Sequence, residues 1–232
     1  MPVDDFSDNA AWRLIAYKEL VSQVNVLFAD FLLDYCCNCR SVIGRLPEAE
    51  NESFNLLEGV YPGCCHRGAG DIFRFEGQEP GRQHLAPAII SGLQRERKLR
   101  LNSFAAGVCG GTYRFKRQRD NSEITGAHCR YFSAAGCILG DLKGPLCINF
   151  ICPPMRLDLI CVCDGSEELV GPEPDFLRLY SSLAVISYDA RDEVDQELKL
   201  LHCRVADFKD RCRRFLSKHK VNSLYEFFNG DK

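Results

Sequence analysis

Cysteine is the residue that most constrains this chain, because it fills 14 of the 232 positions. This content is about four times the usual one, and it is typical of either a disulfide framework or metal binding. The compartment decides between the two. The sequence starts MPVDDFSDNAAW, without the basic and apolar segments of a signal peptide. We therefore expect a cytoplasmic protein with reduced thiols, while a secreted chain that has lost its leader leaves disulfides open as the alternative.

The cysteines fall into two groups by spacing. The first has the pattern C-x2-C and, 24 residues later, an adjacent pair, and the second has the pattern C-x7-C-x9-C-x4-C. A C-x2-C turn lets two thiolates converge on one metal while nearby amides point at the sulfurs. Adjacent cysteines point in different directions, so the pair serves different centres or only one member ligates. The predicted metal ligands are Cys36, Cys39, Cys64, Cys65, Cys129, Cys137, Cys147 and Cys152.

The second group lies in the segment CRYFSAAGCILGDLKGPLCINFIC. Its cysteine spacing, the aromatic residues after the first cysteine and the aliphatic residues after the second resemble the YkgJ-type cysteine-cluster family, described as a zinc- or iron-chelating domain. The resemblance covers roughly residues 36–156. The first group departs from the family pattern, because the family packs that run of cysteines more tightly. A more distant likeness links the chain to the flagellin lysine N-methylases, which share such a set of cysteines.

The resemblance implies a metal or iron–sulfur centre bound by up to eight thiolates. Four thiolates on a zinc ion or a [4Fe–4S] core leave a net charge of about −2, which needs compensating donors when it is buried. Arg40, Arg67 and Arg130 each lie within two residues of a predicted ligand. Scattered single cysteines favour an iron–sulfur cluster of the [4Fe–4S] type over zinc, whose sites favour two C-x2-C knuckles.

Several further residues stay open as ligands, either as extra thiols or as imidazoles that replace one. They are Cys37, Cys109, Cys161, Cys163, His66 and His128. Cys212 is different, because it continues an apolar helical stripe and is expected in the core. Cys203 lies off that stripe, and we expect it to be a partly exposed thiol.

Apolar spacing predicts helices towards both ends of the chain. A long helix is expected over 9–35, capped by Asp8 or Asn9, and a second over 84–101 with Pro87 in its first turn. A third helix is expected from Pro174 to about residue 187, and Ser223 is expected to cap a short last one. The clearest stripe steps by four and three residues. It comprises Val194, Leu198, Leu201, Val205, Phe208, Cys212 and Phe215.

The middle of the chain lacks such periodicity. Residues 41–63 are expected to be mostly loop, and residues 107–118 are expected to form a turn that leads into a strand. Pro153-Pro154 is expected to end the element that carries the last cysteine of the second group. The predicted fold is a mainly α single domain over 1–232, with helices around a loop-rich, cysteine-rich, metal-binding centre. That centre spans 36–156, and a helical region covers 172–232.

Composition excludes some functions. Hydrophobic residues make up 46% of the chain and the net charge is −3, so a disordered chain and a protein that wraps nucleic acid are both disfavoured. The most apolar stretch, VNVLFADFLL, carries Asp30 and is too short to span a membrane. No nucleotide-binding or hydrolase motif is present.

The sequence therefore predicts an iron–sulfur protein linked to redox chemistry or electron transfer. A structural zinc-binding interaction module and a cluster-containing protein lysine methyltransferase are the alternatives. The expected partner is a redox protein or a protein substrate, and whether the chain is an enzyme stays open.

Overall fold

A computed structural model describes the chain at residues 5–38, 42, 45, 54–58, 73–75, 81–103, 112–117, 120–127, 129, 131–133, 136–149, 151–163 and 177–230. The described helices are α1 (Asp5–Phe31), α2 (Leu33–Cys37), α3 (Pro87–Ser103), α4 (Pro145–Asn149), α5 (Pro153–Val162), α6 (Leu179–Tyr188), α7 (Arg191–His219) and α8 (Leu224–Asn229), with a 3-10 turn at Gly140–Leu142. The described strands are β1 (Phe54–Glu58), β2 (Thr112–Arg117), β3 (Glu123–Ala127), β4 (Phe132–Ser133) and β5 (Gly136–Cys137). The protein is thus mainly helical.

Helix α1 is the central element of the fold. It packs against α3, α6, α7 and the 3-10 turn. Its inward face repeats at spacings of three and four residues, which is the period of a helix that buries one side. The buried side chains on this face are Leu14, Ala16, Tyr17, Leu20, Val21, Val24 and Leu27. Each neighbouring element is therefore positioned by contact with one helix.

The N-terminal prediction is wrong at its start and interrupted near its end. The helix begins at Asp5, so neither Asp8 nor Asn9 is a cap. Residues 5–8 contain no glycine or proline, and a helix propagates through such a segment at little cost. The helix breaks at Leu32, where φ is −119°, and α2 then leads into the first cysteines.

The C-terminal helices match the sequence prediction closely. In α7, Val194, Leu201, Val205, Phe208 and Cys212 are buried, as the apolar stripe predicts. Leu198 and Phe215 are half-buried against the same core. Ser223 caps α8, because its hydroxyl accepts a hydrogen bond from the Glu226 amide at 3.1 Å. Pro174 lies outside the described residues, and α6 is described from Leu179 onward.

Two small antiparallel sheets are present among the residues that the structure describes. The first has the order β1-β2-β3, and the second pairs β4 with β5. The predicted strand within 107–118 is confirmed as β2. Within 41–63, which was expected to be mostly loop, residues 54–58 form a strand that pairs with β2, with Phe54 opposite Arg117, and beyond them only residues 42 and 45 are described. Pairing with a strand distant in sequence gives no local periodic signal.

Pro153-Pro154 does not end an element, and that expectation is wrong. The two prolines occupy the first positions of α5, directly after Cys152. Proline is accepted there because the first helical amides have no intrahelical partner and its fixed φ suits the helix.

One hydrophobic cluster contains buried residues of α1, α3, α5, α6 and α7. Among the helices that the structure describes, none has the length and apolar character required to cross a bilayer.

Candidate functional site

The predicted ligands separate into those that the structure describes and those that it does not. Cys39, Cys64 and Cys65 lie outside the described residues, as do the open candidates Cys109, His66 and His128 and the predicted charge partners Arg40, Arg67 and Arg130. Cys36 and Cys137 are exposed, Cys129 and Cys147 are half-buried, and Cys152 is buried. The second cysteine group can therefore be followed in space, and the first cannot.

A short hairpin turns the chain back between the first two cysteines of this group. Strands β4 and β5 pair so that Phe132 lies opposite Cys137. The amide of Ile138 donates to the carbonyl of Tyr131 at 2.9 Å, which closes the base of the hairpin. Cys129 precedes β4 and Cys137 ends β5, so the hairpin returns the second cysteine towards the first.

The chain between Cys137 and Cys147 is fixed by side chains from two helices. We call residues 138–143 the 138–143 turn. From α3, Arg100 donates to the carbonyls of Ile138 and Leu139, and Arg97 donates to the carbonyl of Leu142. Helix α1 supplies a second set of donors to the same turn. Five backbone carbonyls of the turn accept side-chain hydrogen bonds: those of Ile138, Leu139, Gly140, Leu142 and Lys143.

The contacts with α1 are polar although that helix face is mostly apolar. Tyr17 donates its hydroxyl hydrogen to the carbonyl of Lys143, and Asn25 donates to the carbonyl of Gly140 at 3.0 Å. The ammonium of Lys143 donates back to the Asn25 side chain at 2.7 Å. Tyr17 is fully buried, and burial raises the pKa of its phenol, which stays protonated and able to donate. These bonds fix the middle and the end of the turn.

Gly140 allows the chain to enter the 3-10 turn. Its φ of +54° lies in the left-handed region, which a residue with a Cβ rarely adopts. A Cβ there would also lie 3.1 Å from a guanidinium nitrogen of Arg100. Glycine at this position therefore serves both the backbone conformation and the close approach of Arg100.

The outer side of the turn forms ion pairs with the same two helices. Asp141 binds Arg100 at 3.0 Å and Lys18 at 3.3 Å, and Lys18 also binds Glu96 at 2.9 Å. Burial opposes ionisation of Asp141, but the hydrogen bonds and charges of Arg100 and Lys18 outweigh it and lower the pKa of the carboxyl. The turn is thus bound to α1 and α3 on its outer face as well.

Cys147, on α4, lies close enough to Cys137 and Cys129 for the charges of those thiols to affect its pKa. Burial, with smaller contributions from the neighbouring thiols of Cys137 and Cys129, raises the pKa of Cys147 to about 11. A hydrogen bond involving the Gly144 backbone and the charge of Arg97 act in the opposite direction. Cys129, Cys137 and Cys147 are free thiols. The structure therefore brings three of the four cysteines into one electrostatic neighbourhood.

Cys152 lies in a different environment. It immediately precedes α5, and its electrostatic neighbours are Tyr35 and Arg45. There Asp158 is buried and binds the Arg45 guanidinium through both oxygens at 2.6 Å, while Tyr35 donates to it at 2.9 Å. Burial and the adjacent carboxylate raise the pKa of the Tyr35 phenol. This network joins α2 to α5.

The remaining described cysteines are dispersed. Cys37, Cys161 and Cys203 are exposed. Cys212 is fully buried on the α7 stripe, as predicted, and Cys163 lies close enough to influence it. Within the described part of the chain, no three His, Cys, Asp or Glu side chains lie in an arrangement that could bind a metal ion.

Sequence reasoning missed the residues that position the turn. Arg97 lies among basic residues near the end of the helix expected over 84–101, yet it is only 2% exposed. It continues the four-residue steps of Ile89 and Leu93, both fully buried, and this periodicity is the signal that could have revealed it. Tyr17 lay on a recognised apolar stripe, but nothing local indicates that its hydroxyl bonds to a carbonyl 126 residues away.

No family model, curated protein or solved structure matches the chain. The resemblance to the YkgJ-type family therefore rests on the spacing of the cysteines.

Proposed function

We propose that the protein binds a metal through the thiolates of Cys129, Cys137 and Cys147, as an iron–sulfur cluster used in redox or electron-transfer chemistry. One observation carries the proposal. Cys137 ends the hairpin, and Cys147 follows the 138–143 turn at a place where the charges of Cys137 and Cys129 reach it. Ordering the side chains that bond these five carbonyls costs conformational entropy. An ordinary surface turn does not need such bonds.

The donor chemistry fits a soft metal. Thiolates are preferred ligands of iron–sulfur clusters and zinc, whereas harder cations prefer oxygen ligands. None of the three comes from a C-x2-C knuckle, which favours iron–sulfur over zinc. Because the pKa of Cys147 is raised to about 11, a metal must displace a proton there, and binding is expected to weaken as the pH falls.

A complete centre needs two further conditions. The three sulfurs must move closer together when metal binds, since the described residues alone do not form a chelating arrangement. A fourth ligand would come from the first cysteine group, for which Cys39, Cys64 and Cys65 are the candidates. An iron–sulfur cluster, when bound, supplies one-electron transfer. The protein's own residues position the ligands, and the expected partner is a redox protein or a protein substrate.

The deciding experiment is purification without oxygen, followed by analysis of iron, zinc and acid-labile sulfide. Iron and sulfide in matching amounts, with absorption near 400 nm, are the expected result. A colourless protein that contains zinc and no sulfide would instead identify the zinc module. Protein that contains neither metal, and takes up neither when supplied with them, would refute metal binding.

Single serine variants then test the grouping. A serine hydroxyl is a poor ligand for a soft metal, so Cys129→Ser, Cys137→Ser and Cys147→Ser should each lose most of the bound metal. Cys203→Ser is the matched control, because that thiol is exposed on α7. Cys152→Ser decides whether the fourth cysteine belongs to the same centre, since its described neighbours lie in another network.

A further inference from the structure

We infer that the outward face of α7 binds the same face of a second copy of the protein in an antiparallel arrangement. Helix α7 has 29 residues and is therefore about 43 Å long. One side of it packs against α1 and α6. The outward face is the opposite side, where exposed residues follow one another at steps of three or four and so lie in one row. They are Asp195, Lys199, Cys203, Ala206, Asp210 and Arg213.

The first support is the distribution of charge along α7. Residues 191–197 carry four carboxylates and one guanidinium, whereas residues 209–218 carry five cationic side chains and one carboxylate. Such a distribution suits the helix macrodipole, but that effect is confined to the first and last turns. Asp195 and Arg213 lie further inside the helix. Two copies of α7 that lie antiparallel place the acidic end of each helix beside the basic end of the other.

The second support is an inner pair of charges whose order is reversed. Lys199 lies in the N-terminal half of α7 and Asp210 in its C-terminal half, so the macrodipole does not explain them. A two-fold axis between residues 203 and 206 places Lys199 opposite Asp210 of the second copy. The same register places Asp195 opposite Arg213 of the second copy, and the symmetry forms each contact twice. The outward face is therefore complementary in charge to itself.

The third support is that these side chains are accessible. Asp195 and Lys199 are exposed and form no ion pair within the described part of the chain. Arg213 binds Asp210 at 2.9 Å, but the two side chains are 60% and 57% exposed, and such a pair contributes little alone. It can therefore join a network of four charges with the second copy. The centre of the face carries only the small side chains of residues 203 and 206, which let two helices approach to roughly 8–10 Å.

Sedimentation equilibrium of the full-length protein measures the association. A reducing agent is present, so that the exposed thiol of Cys203 forms no disulfide between copies. We expect a dimer with a dissociation constant in the micromolar range, because the face is small and polar. It should form at about 0.1 M salt and dissociate at about 1 M salt, since the screening length falls from about 10 Å to about 3 Å. Arg213→Glu and Asp195→Lys each bring like charges together at two contacts, and each should weaken the dimer by about tenfold or more.

An equal mixture of these two variants tests the register directly. In a mixed dimer the introduced lysine of one copy faces the introduced glutamate of the other, and the second contact keeps the native Asp195 and Arg213. The mixture should therefore dimerise at concentrations at which neither variant alone does. Arg95→Glu is the matched control, because it makes the same charge change at an exposed position of α3 and should leave the association unchanged.

Three results would contradict the inference. Wild-type protein that stays monomeric at sub-millimolar concentration and about 0.1 M salt would refute the dimer. A dimer that Arg213→Glu leaves intact would be formed by another surface. A mixture that associates no more than its components would show that residues 195 and 213 do not face each other. Should either variant not fold, Lys199→Asp and Asp210→Lys supply the same comparison at the inner pair. Metal binding plays no part in this test, so its outcome leaves the proposed function unaffected.

Discussion

The C-terminal helices and the 138–143 turn are stabilised by different kinds of interaction. Helix α7 packs through side chains spaced by three and four residues, and its buried face is apolar. The turn is bonded through its backbone carbonyls to polar side chains that come from α1 and α3. The first arrangement depends on area removed from water, and the second on the direction of individual bonds. The comparison indicates that α7 serves stability and the turn serves precise placement.

The energies of the two regions differ accordingly. Burying one large apolar side chain contributes about 1.5–3 kcal/mol, and α7 buries several. A neutral hydrogen bond contributes about 1 kcal/mol and one from a charged donor about twice that. The turn is thus specified by many modest terms, so it should respond locally to changes that leave α7 intact.

Removal of metal should produce the largest difference between the two regions. Ligand binding and folding are coupled when the ligands organise a centre, so stripping metal should first unfold the cysteine-rich region 36–156, including the hairpin and the turn. Helix α7 carries its own apolar face and should persist longer. Hydrogen exchange on metal-loaded and metal-free protein measures this. Equal loss of protection in the turn and in α7 would contradict the comparison.

Truncating the α7 stripe should destabilise the whole protein while leaving the site chemistry unchanged. Phe208 is buried, and Phe208→Ala is expected to lower the free energy of unfolding by about 4 kcal/mol, because it leaves a cavity in the core. Leu200→Ala is the control, since Leu200 is 48% exposed on the same helix. Urea unfolding measures both. Loss of Zn²⁺ affinity in the folded Phe208→Ala protein would show that the two regions are not separable.

Loss of the Tyr17 hydroxyl should affect the turn more than the core. In Tyr17→Phe the ring stays in place, but the carbonyl of Lys143 loses its donor in a buried setting, which costs about 1–2 kcal/mol. Protection of the turn in hydrogen exchange should fall with it. Tyr188→Phe is the matched control, because its hydroxyl also donates to a carbonyl, that of His84, but at an exposed position. Equal losses of unfolding free energy in Tyr17→Phe and Tyr188→Phe would contradict the idea that the buried bond to the turn matters more than an exposed one.

The smallest effect concerns Cys212, which belongs to the core. Cys212→Ala should keep full metal content and lower the free energy of unfolding by about 1 kcal/mol at pH 8. Burial, with the neighbouring Cys163, raises the pKa of the Cys212 thiol to about 12 in the folded protein, above its ordinary value of 9.0. The folded state therefore favours the neutral thiol.

The sign of the pH dependence follows from that shift. The stability that depends on this shift is fully present below pH 9.0 and is lost as the pH rises towards about 12. The reason is that the unfolded protein loses the Cys212 proton at a lower pH than the folded protein does. At pH 10 the wild type should lose about 1 kcal/mol that Cys212→Ala does not lose, so their stabilities converge. Urea unfolding of both proteins at pH 8 and pH 10 measures this. A constant difference between them would show that Cys212 does not titrate as the buried site predicts.

Local signals allowed parts of the fold to be predicted and not others. The α7 stripe, the Ser223 cap and the Pro87 start of α3 each depend on residues within two turns of one another, so the sequence displays them. Strand β1 forms by pairing with a strand that is distant in sequence. The position of Pro153 at the start of α5 depends on the structure around it, so neither feature follows from a local pattern. The pattern C-x7-C-x9-C-x4-C singles out Cys129, Cys137, Cys147 and Cys152, and their convergence on one metal stays a prediction.

The residues around the thiols could not be predicted from local pattern. Arg97 and Leu142 are 45 residues apart, and Tyr17 and Lys143 are 126 apart. A buried arginine looks like any other cation in a basic run until its helix face is known. Polar side chains that bond to distant carbonyls follow no period, so only the folded chain identifies them.

The place of α1 in the chain also bears on how the protein is synthesised. One of the main packing partners of α1 is α7, which begins only at Arg191 and ends at His219. Domains fold as units during translation, so part of the apolar face of α1 stays uncovered until the ribosome has passed α7. Tyr17 and Asn25, which bond to the 138–143 turn, lie on that same helix. The bonds from Tyr17 and Asn25 to the turn are therefore expected to become stable only after α7 has been synthesised.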